Sequence, residues 1–177
     1  MNNKYRFRCV GFFENVVRRY GQLEIAHNGV PFKPEHMNYD GNVVMDPVYS
    51  FFIFCHSIKD WIKNDDLVDP QVKEKVEPFI EANACLKSCA DIANGIKHLK
   101  LKRKRSRTLP KFIRSERNFI TDKTMDITKI DSPEYKDVIV KDFFYLDTDQ
   151  GTIEVFDLAT ECVEKWRKFI EDNICKL

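Results

Sequence analysis

Apolar residues recur three and four positions apart through most of the first hundred residues, and this period limits the fold more than any other feature of the chain. Between residues 5 and 26 the periodic positions are Val10, Phe13, Val16, Val17, Tyr20 and Leu23. Comparable patterns run from about 47 to 64 and from about 78 to 99. Because such a pattern lets a helix bury one side, the sequence predicts a bundle of amphipathic helices.

Aspartate followed by proline marks two predicted helix starts, at positions 46–47 and 69–70. In both, a capping side chain precedes a proline, which is well accommodated in the first helical turn. The glycine- and proline-containing stretch 28–44 is typical of a loop throughout. Pro78 is expected to interrupt or kink the short helix that begins at the second Asp-Pro pair, because proline lacks the amide donor.

The pattern changes after position 101. Short β-branched runs at 118–121 and 126–130 are weak strand candidates, whereas 138–146 and 152–156 flank a glycine-containing turn and predict a β-hairpin. Helical spacing then returns at Ala159, Cys162, Val163, Trp166, Phe169, Ile170 and Ile174. This last set predicts a C-terminal helix.

The predicted fold class is therefore α+β: mainly an α-helical bundle, with an antiparallel β-hairpin or meander at about 137–157 inserted before the C-terminal helix. A length of 177 residues suits one domain, and we expect residues 1–177 to form a single helical-bundle domain. The formal charge of +1 predicts neither an acidic nor a nucleic-acid partner for the molecule as a whole.

The six cysteines form no CxxC pair and fall mostly within helical patterns, which is typical of buried free thiols. They favour a reducing, cytoplasmic location, and we expect no cofactor and no metal in the site. The longest uncharged run, 47–58, has 12 residues, whereas a membrane-spanning helix needs about 20. No membrane association is expected.

One helix presents an unusual polar column. Its core face is predicted to carry Cys85, Leu86, Cys89, Ile92, Ala93, Ile96 and Leu99. On the opposite side Asp91, Asn94 and His98 lie in a single row, facing away from the core. A solvated helix face is the plain interpretation; a functional site is the alternative. Gly95 favours the site, since glycine costs about 1 kcal/mol in a helix interior and suggests a close approach to the backbone.

A second histidine precedes this column in the sequence. His56 and Asp60 are four residues apart and therefore adjacent on their helix. We expect His56 to be half-buried and hydrogen-bonded to Asp60 or to backbone, as a structural histidine would be. One alternative is that His56 and Asp60 support the Asp91 column. Another is that they bind a metal together with His98 and Asp91, as two histidines and two aspartates.

Charge is concentrated in one segment. Residues 97–117 hold ten basic residues and one acid, a charge of +9, which leaves −8 on the rest of the chain. Such segregation is typical of contact with phosphates. The equally weighted alternative is a loop that docks on the protein's own acids, such as Asp65, Asp66 and Asp69. The predicted nucleic-acid-binding residues are Lys100, Lys102, Arg103, Lys104, Arg105 and Arg107.

Two motifs carry a resemblance. His56-Ser-Ile-Lys-Asp-Trp61 and Asp91-Ile-Ala-Asn-Gly-Ile-Lys-His98 resemble a group of bacterial and phage helical-bundle proteins, and more distantly the HEPN (higher eukaryote and prokaryote nucleotide-binding) superfamily. Many HEPN proteins are metal-independent ribonucleases of toxin–antitoxin or phage-defence systems, with sites formed between two copies. In their signature four to six residues separate an arginine from the histidine, and the corresponding positions here hold Asp91, Ile92 and Ala93.

The resemblance implies an RNA-binding protein or endoribonuclease, with RNA, a second copy or an antitoxin as partners. RNA cleavage by the 2′-hydroxyl needs a base, an acid and cations on the phosphorane. His98 is the candidate base or acid, Lys97 a candidate cation, and Asn94 or Asp91 would orient the imidazole. The alternative is a non-catalytic protein-interaction module or homodimeric adaptor that uses the same surface.

Overall fold

The computed structural model describes residues 7–31, 41–97, 105–106, 109–121 and 138–175. The elements within these ranges are α1 (Arg8–Asn28), β1 (Val30–Pro31), α2 (Gly41–Asn64), α3 (Pro70–Ala82), α4 (Ala84–Lys97), β2 (Lys111–Ile120), β3 (Ile139–Thr148), β4 (Gly151–Glu154) and α5 (Val155–Asn173). The predicted α+β class, mainly helical with an antiparallel sheet before the last helix, is confirmed.

Strand β3 is the centre of the sheet. Strand β2 pairs antiparallel with it along one edge, from Lys111 opposite Asp147 to Ile120 opposite Ile139. The other edge is shared by β4, near the end of β3, and by the two-residue β1, near its beginning. The predicted hairpin is confirmed as β3 and β4, but its second strand ends at Glu154, and residues 155–156 begin α5 instead. The turn ends at Gly151, whose φ of 100° favours glycine.

A second glycine joins α1 to the sheet. Gly29 has a φ of 102°, and a Cβ at this position would collide with the side chain of Ile139 on β3. Only glycine meets both requirements, because other residues rarely adopt this φ. The loop that the sequence predicted over 28–44 therefore contains a short strand, and residues 32–40 lie outside the described part of the chain.

The core lies between the helices and one end of the sheet. Its largest fully buried side chains include Trp166, Phe51, Phe52, Ile58, Ile62, Ile80, Leu146 and Ile174. These residues come from α2, α3, β3 and α5 and from the residue after α5, and buried residues of α1 and α4 join them in one cluster. Each such side chain contributes roughly 1.5–3 kcal/mol by leaving water, so the amphipathic pattern accounts for most of the packing.

Two predicted helix boundaries are wrong, both at prolines. Helix α2 begins at Gly41 rather than at position 47, so Pro47 lies inside it. Helix α3 starts as predicted at Pro70, where the Asp69 carboxylate accepts the Gln71 amide at 2.7 Å, but it continues through Pro78 to Ala82. Pro78 and Glu74, whose carbonyl loses its helical partner, are both exposed, so water can hydrate that carbonyl.

The break between α3 and α4 lies at Asn83 instead. Its backbone is extended, its amide donates to the carbonyl of Ile80 at 3.2 Å, and its side-chain amide donates to the carbonyl of Phe79 at 2.7 Å. Its own carbonyl accepts from Lys87 at 3.1 Å and so begins α4. Asparagine competes well for such backbone groups, and here it ends one helix and opens the next.

The strand prediction after position 101 was too short. Strand β2 begins at Lys111 rather than at 118, so the last third of the basic segment is part of the sheet. The periodic signal is weak there because most of β2 is exposed, which leaves few apolar positions to alternate. The other weak strand candidate, 126–130, lies outside the described residues.

Candidate functional site

Helix α4 carries the predicted column, and its core face is as expected. Cys85, Leu86, Cys89, Ile92 and Ala93 are buried, and Ile96 is partly buried against the core. The opposite side, however, does not face solvent along its whole length. Asp91 is 1% exposed, so the interpretation of this column as a solvated helix face is wrong at Asp91.

The Asp91 carboxylate is occupied by hydrogen bonds from the chain that follows α4. The Arg105 amide donates to both of its oxygens, at 2.8 and 2.9 Å, and the Ser106 amide donates to Oδ2 at 2.7 Å. The Ser106 hydroxyl donates to Oδ2 as well, at 2.5 Å. A carboxylate that accepts several backbone amides anchors the segment that donates them, so Asp91 holds Arg105 and Ser106 against α4.

Arg105 docks on the neighbouring helix with its side chain. Its guanidinium nitrogens lie 2.7 Å from a Glu77 oxygen and 2.9 Å from a Glu81 oxygen, both on α3. Glu77 also receives the Lys63 ammonium at 2.5 Å. Burial alone would raise the pKa of Glu77, but the hydrogen bonds from Lys63 and Arg105 outweigh it and lower the pKa to about 2.

This arrangement decides, for Arg105, between the two interpretations of the basic segment. The residue docks on the protein's own acids, but on Glu77 and Glu81 rather than on the expected Asp65, Asp66 and Asp69. The sequence missed this acidic pair, although the two residues are four apart and so share one face of α3. Asp65 is buried and Asp69 caps α3, so neither is available as a docking surface.

Two further arginines of the basic segment contact the protein's own groups. Arg117 pairs with Asp142 across the sheet, Nε to Oδ1 at 2.6 Å and Nη2 to Oδ2 at 2.8 Å. Arg114 lies 2.8 Å from a Glu116 oxygen and stacks 4.2 Å above the ring of Tyr145. Much of the described positive charge is thus neutralised locally. Lys97 and Lys111 are exposed.

His56 is buried, as a structural histidine would be, with 7% exposure. Burial, with the nearby Lys59 and Arg105 charges, lowers its pKa to about 4, so its imidazole is neutral at neutral pH. The expected partner Asp60 is exposed and lies 2.7 Å from the Lys59 ammonium instead. Arg105 therefore influences both His56 and the acidic pair of α3.

Two open grooves flank the C-terminal half of α4. The first, which we call the acidic groove, has a volume of about 740 Å³ and is lined by Glu77, Glu81, Asn94 and Arg105. The second, the aromatic groove, has a volume of about 350 Å³ and is lined by Tyr49, Asp91, Ile92, Gly95, Ile96, Leu109, Pro110 and Phe112. The rings of Tyr49 and Phe112 meet edge to face with centroids 5.6 Å apart.

Gly95 does not have the close neighbour that the sequence suggested. A Cβ at this position would meet no atom of the described residues within 4 Å, so the helix backbone there borders the open aromatic groove. Neither aromatic residue of this groove was predicted as part of the site. Tyr49 lies within the helix predicted over 47–64, and Phe112 lies within the basic segment 97–117.

The other predicted site residues lie outside the described residues. They are His98, Lys100, Lys102, Arg103, Lys104 and Arg107. Within the described part of the chain, the only group of three or more metal-ligating side chains close enough to share an ion is Cys55, Cys89 and Cys162. The described members of the predicted histidine and aspartate set, His56, Asp60 and Asp91, form no such group.

Comparison of the chain with protein-family models, with curated proteins and with solved structures gives no match. Among the described residues, no helix combines the length and the apolar character that crossing a bilayer would require. The candidate site therefore has to be interpreted from its own geometry.

Proposed function

We propose that the protein binds RNA, with the aromatic groove as the place where an unpaired base is held. The observation that carries this proposal is the pair of aromatic rings, Tyr49 and Phe112, beside the open helix backbone at Gly95. Aromatic side chains stack on bases of any identity, with a contribution of roughly 1–3 kcal/mol per base. RNA is recognised mainly through such unpaired bases.

The charges around the groove fit a phosphate backbone. Exposed Lys97 follows the groove residue Ile96 in the sequence, and exposed Lys111 follows the groove residue Pro110. The basic segment 97–117 begins directly after the groove residue Ile96 and includes the groove residues Leu109, Pro110 and Phe112. Arg105, Arg114 and Arg117 are used in contacts with the protein itself, so we assign the phosphate contacts to the lysines.

Binding of a fluorescent single-stranded RNA, followed by anisotropy over a series of salt concentrations, tests this proposal. Each of Lys97→Glu and Lys111→Glu should weaken binding and lower the slope of log affinity against log salt by about 1. Phe112→Leu should weaken binding while leaving that slope unchanged. Lys168→Glu, at an exposed lysine of α5 that lines neither groove, is the matched control. Equal affinities for all four variants would contradict the proposal.

A narrower proposal is that bound RNA is also cleaved, without a metal, by His98. It rests on the resemblance to HEPN ribonucleases and on the position of His98 next to Lys97 in sequence. Asp91 is committed to backbone amides, so Asn94 is the remaining described candidate to orient the imidazole. We expect cleavage that persists in EDTA and disappears in His98→Ala. If folded wild-type protein leaves the RNA intact, the cleavage proposal is wrong and only the RNA-binding proposal remains.

The alternative function, a protein-interaction module or homodimer, is favoured by a different observation. Strand β2 lies at an edge of the described sheet and exposes Ile113 and Ile120 at 43% and 48%. Exposed apolar residues on an edge strand are suited to pairing with another chain. Sedimentation of the wild type and of Ile113→Lys separates the two functions: a dimer that dissociates in the variant while RNA affinity is unchanged supports the interaction module.

A further inference from the structure

Three cysteines meet in the centre of the helical bundle. Cys55 on α2, Cys89 on α4 and Cys162 on α5 are each at most 1% exposed. Their Sγ atoms all lie within 4.8 Å of one another. Residues far apart in the sequence thus bring three sulfur atoms to one point, which the count and spacing of cysteines did not reveal.

The spacing of the sulfurs suits a metal ion. Zinc–sulfur bonds of about 2.3 Å in a tetrahedral arrangement separate the sulfurs by about 3.8 Å. Small rotations of the side chains would bring the three Sγ atoms to that separation. Thiolates select soft cations such as Zn²⁺ and Cu⁺ over Mg²⁺ or Ca²⁺.

A buried donor without a partner lies beside the same sulfurs. The indole Nε1 of Trp166, on α5, has no hydrogen-bond partner among the described residues although the side chain is 1% exposed. It lies next to the Cys55 sulfur. An unpaired buried N–H is costly, and a metal-bound thiolate would give it an anionic acceptor.

A fourth buried cysteine, Cys85, lies next to the cluster, but its sulfur is not among those that lie within 4.8 Å of one another. The backbone carbonyl of Cys85 accepts a hydrogen bond from Cys162 Sγ at 3.5 Å, and the Cys85 side chain is itself buried one turn before Cys89. Structural zinc sites are almost always four-coordinate. Cys85 is the nearest candidate for the fourth ligand.

We propose that Cys55, Cys89 and Cys162 bind a structural Zn²⁺ ion that joins α2, α4 and α5. Charge favours zinc over copper: with the same set of thiolates, the net charge around Zn²⁺ is one unit less negative than around Cu⁺, and a buried net charge is penalised. Each coordinating thiol gives up its proton to solvent as the ion binds. The site is separate from the RNA-binding grooves and from the nuclease proposal.

Because the cluster is enclosed, the ion has to enter while the chain folds. The test therefore unfolds reduced wild-type protein in denaturant with a chelator, removes both, and refolds it with Zn²⁺, with Co²⁺, with Cu⁺ or with no metal. Elemental analysis should give one tightly held Zn²⁺ per chain. Co²⁺ should produce thiolate-to-cobalt charge-transfer absorption together with the visible bands of tetrahedral coordination, and Zn²⁺ should raise Tm.

Matched variants separate ligands from ordinary buried cysteines. Cys89→Ala and Cys162→Ala should lose the ion and the cobalt spectrum. Cys9→Ala removes a buried cysteine of α1 outside the cluster, and Cys175→Ala removes an exposed one; both should keep the ion. Cys9→Ala controls for the loss of packing, since its thiol is as buried as those of the cluster.

Three results would overturn the proposal. One is folded wild-type protein that retains no Zn²⁺ and shows no cobalt thiolate band after refolding. Another is Zn²⁺ that remains in Cys89→Ala and Cys162→Ala but is lost in Cys175→Ala, which indicates adventitious binding at the surface. The third is a preference for Cu⁺ over Zn²⁺. If a ligand variant fails to fold, the zinc content and cobalt spectrum of the refolded wild-type protein still decide the question.

Discussion

Asp65 and Asp91 are aspartates with almost the same environment, at 2% and 1% exposure, in two regions that the sequence interpreted differently. Asp65, at the end of α2, accepts the amides of Cys9 at 3.0 Å and Leu67 at 3.1 Å. Asp91 accepts those of Arg105 and Ser106. Each aspartate therefore joins two segments that are distant in the sequence. The polar column that contains Asp91 does not by itself distinguish such an anchor from a catalytic group.

The two anchors differ in what they hold. Asp65 supplies a cap for the first turn of α1, where Phe7 offers no capping side chain. Burial raises the pKa of Asp65, but the hydrogen bonds from Cys9 and Leu67 outweigh it and lower the pKa. Asp91 instead holds Arg105 and Ser106, and Arg105 lines the acidic groove. We expect loss of Asp65 to weaken the bundle itself, and loss of Asp91 to alter the candidate site as well.

The largest expected effect comes from removing either carboxylate. Asp91→Ala and Asp65→Ala should each lower the free energy of unfolding by roughly 3 kcal/mol, because buried amides lose a charged acceptor. Chemical denaturation measures the change. Asp91→Asn, which keeps one acceptor oxygen, should lose less. An Asp91→Ala protein as stable as wild type but defective on RNA would restore a chemical role for Asp91.

The sequence predicted the elements whose apolar pattern is strong. Helix α1, helix α5 and the β3–β4 hairpin follow from periodicity because each buries one clear face. Boundaries at Pro47 and Pro78 failed because a proline can remain in a helix whose other side is held by packing. Tertiary burial outweighed the local preference there.

The site was less predictable, for a related reason. Burial of His56 could be inferred, since its helix is apolar on two sides. The burial of Asp91 could not be inferred. Periodicity shows which side of α4 carries this residue, but it does not show which segment of the chain covers that side. The cysteine cluster is equally hidden, since Cys55 and Cys162 are 107 residues apart in the printed sequence and meet only through packing.

The pKa of His56 can distinguish the two aspartate anchors. Arg105, whose amide Asp91 holds, is among the charges that affect this pKa, whereas Asp65 is not. The folded pKa of about 4 lies below the unfolded value of 6.5, so the neutral imidazole supports the fold above pH 6.5. This stability, roughly 3 kcal/mol, is lost as pH falls from 6.5 through 4.

Histidine NMR titration and unfolding at several pH values measure this effect. His56→Gln should remove the part of the pH dependence between 6.5 and 4. In Asp91→Ala the segment at Arg105 is released, so the pKa of His56 should rise towards 6.5, whereas Asp65→Ala should leave it unchanged. Equal shifts in both aspartate variants would show that the two anchors do not differ in their effect on the site.

The smallest effect tests whether Asp91 acts through the backbone of Arg105 or through its side chain. Arg105→Gln keeps the amide that donates to Asp91 but removes the ion pairs with Glu77 and Glu81, which are partly exposed. Such pairs contribute about 0–1 kcal/mol each, so we expect a loss of about 1 kcal/mol, well below that of Asp91→Ala. A double-mutant cycle with Glu77→Gln isolates the coupling between the two side chains. If Arg105→Gln were as destabilising as Asp91→Ala, the guanidinium on α3 rather than the buried carboxylate on α4 would hold this segment, and the likeness between Asp91 and Asp65 would fail.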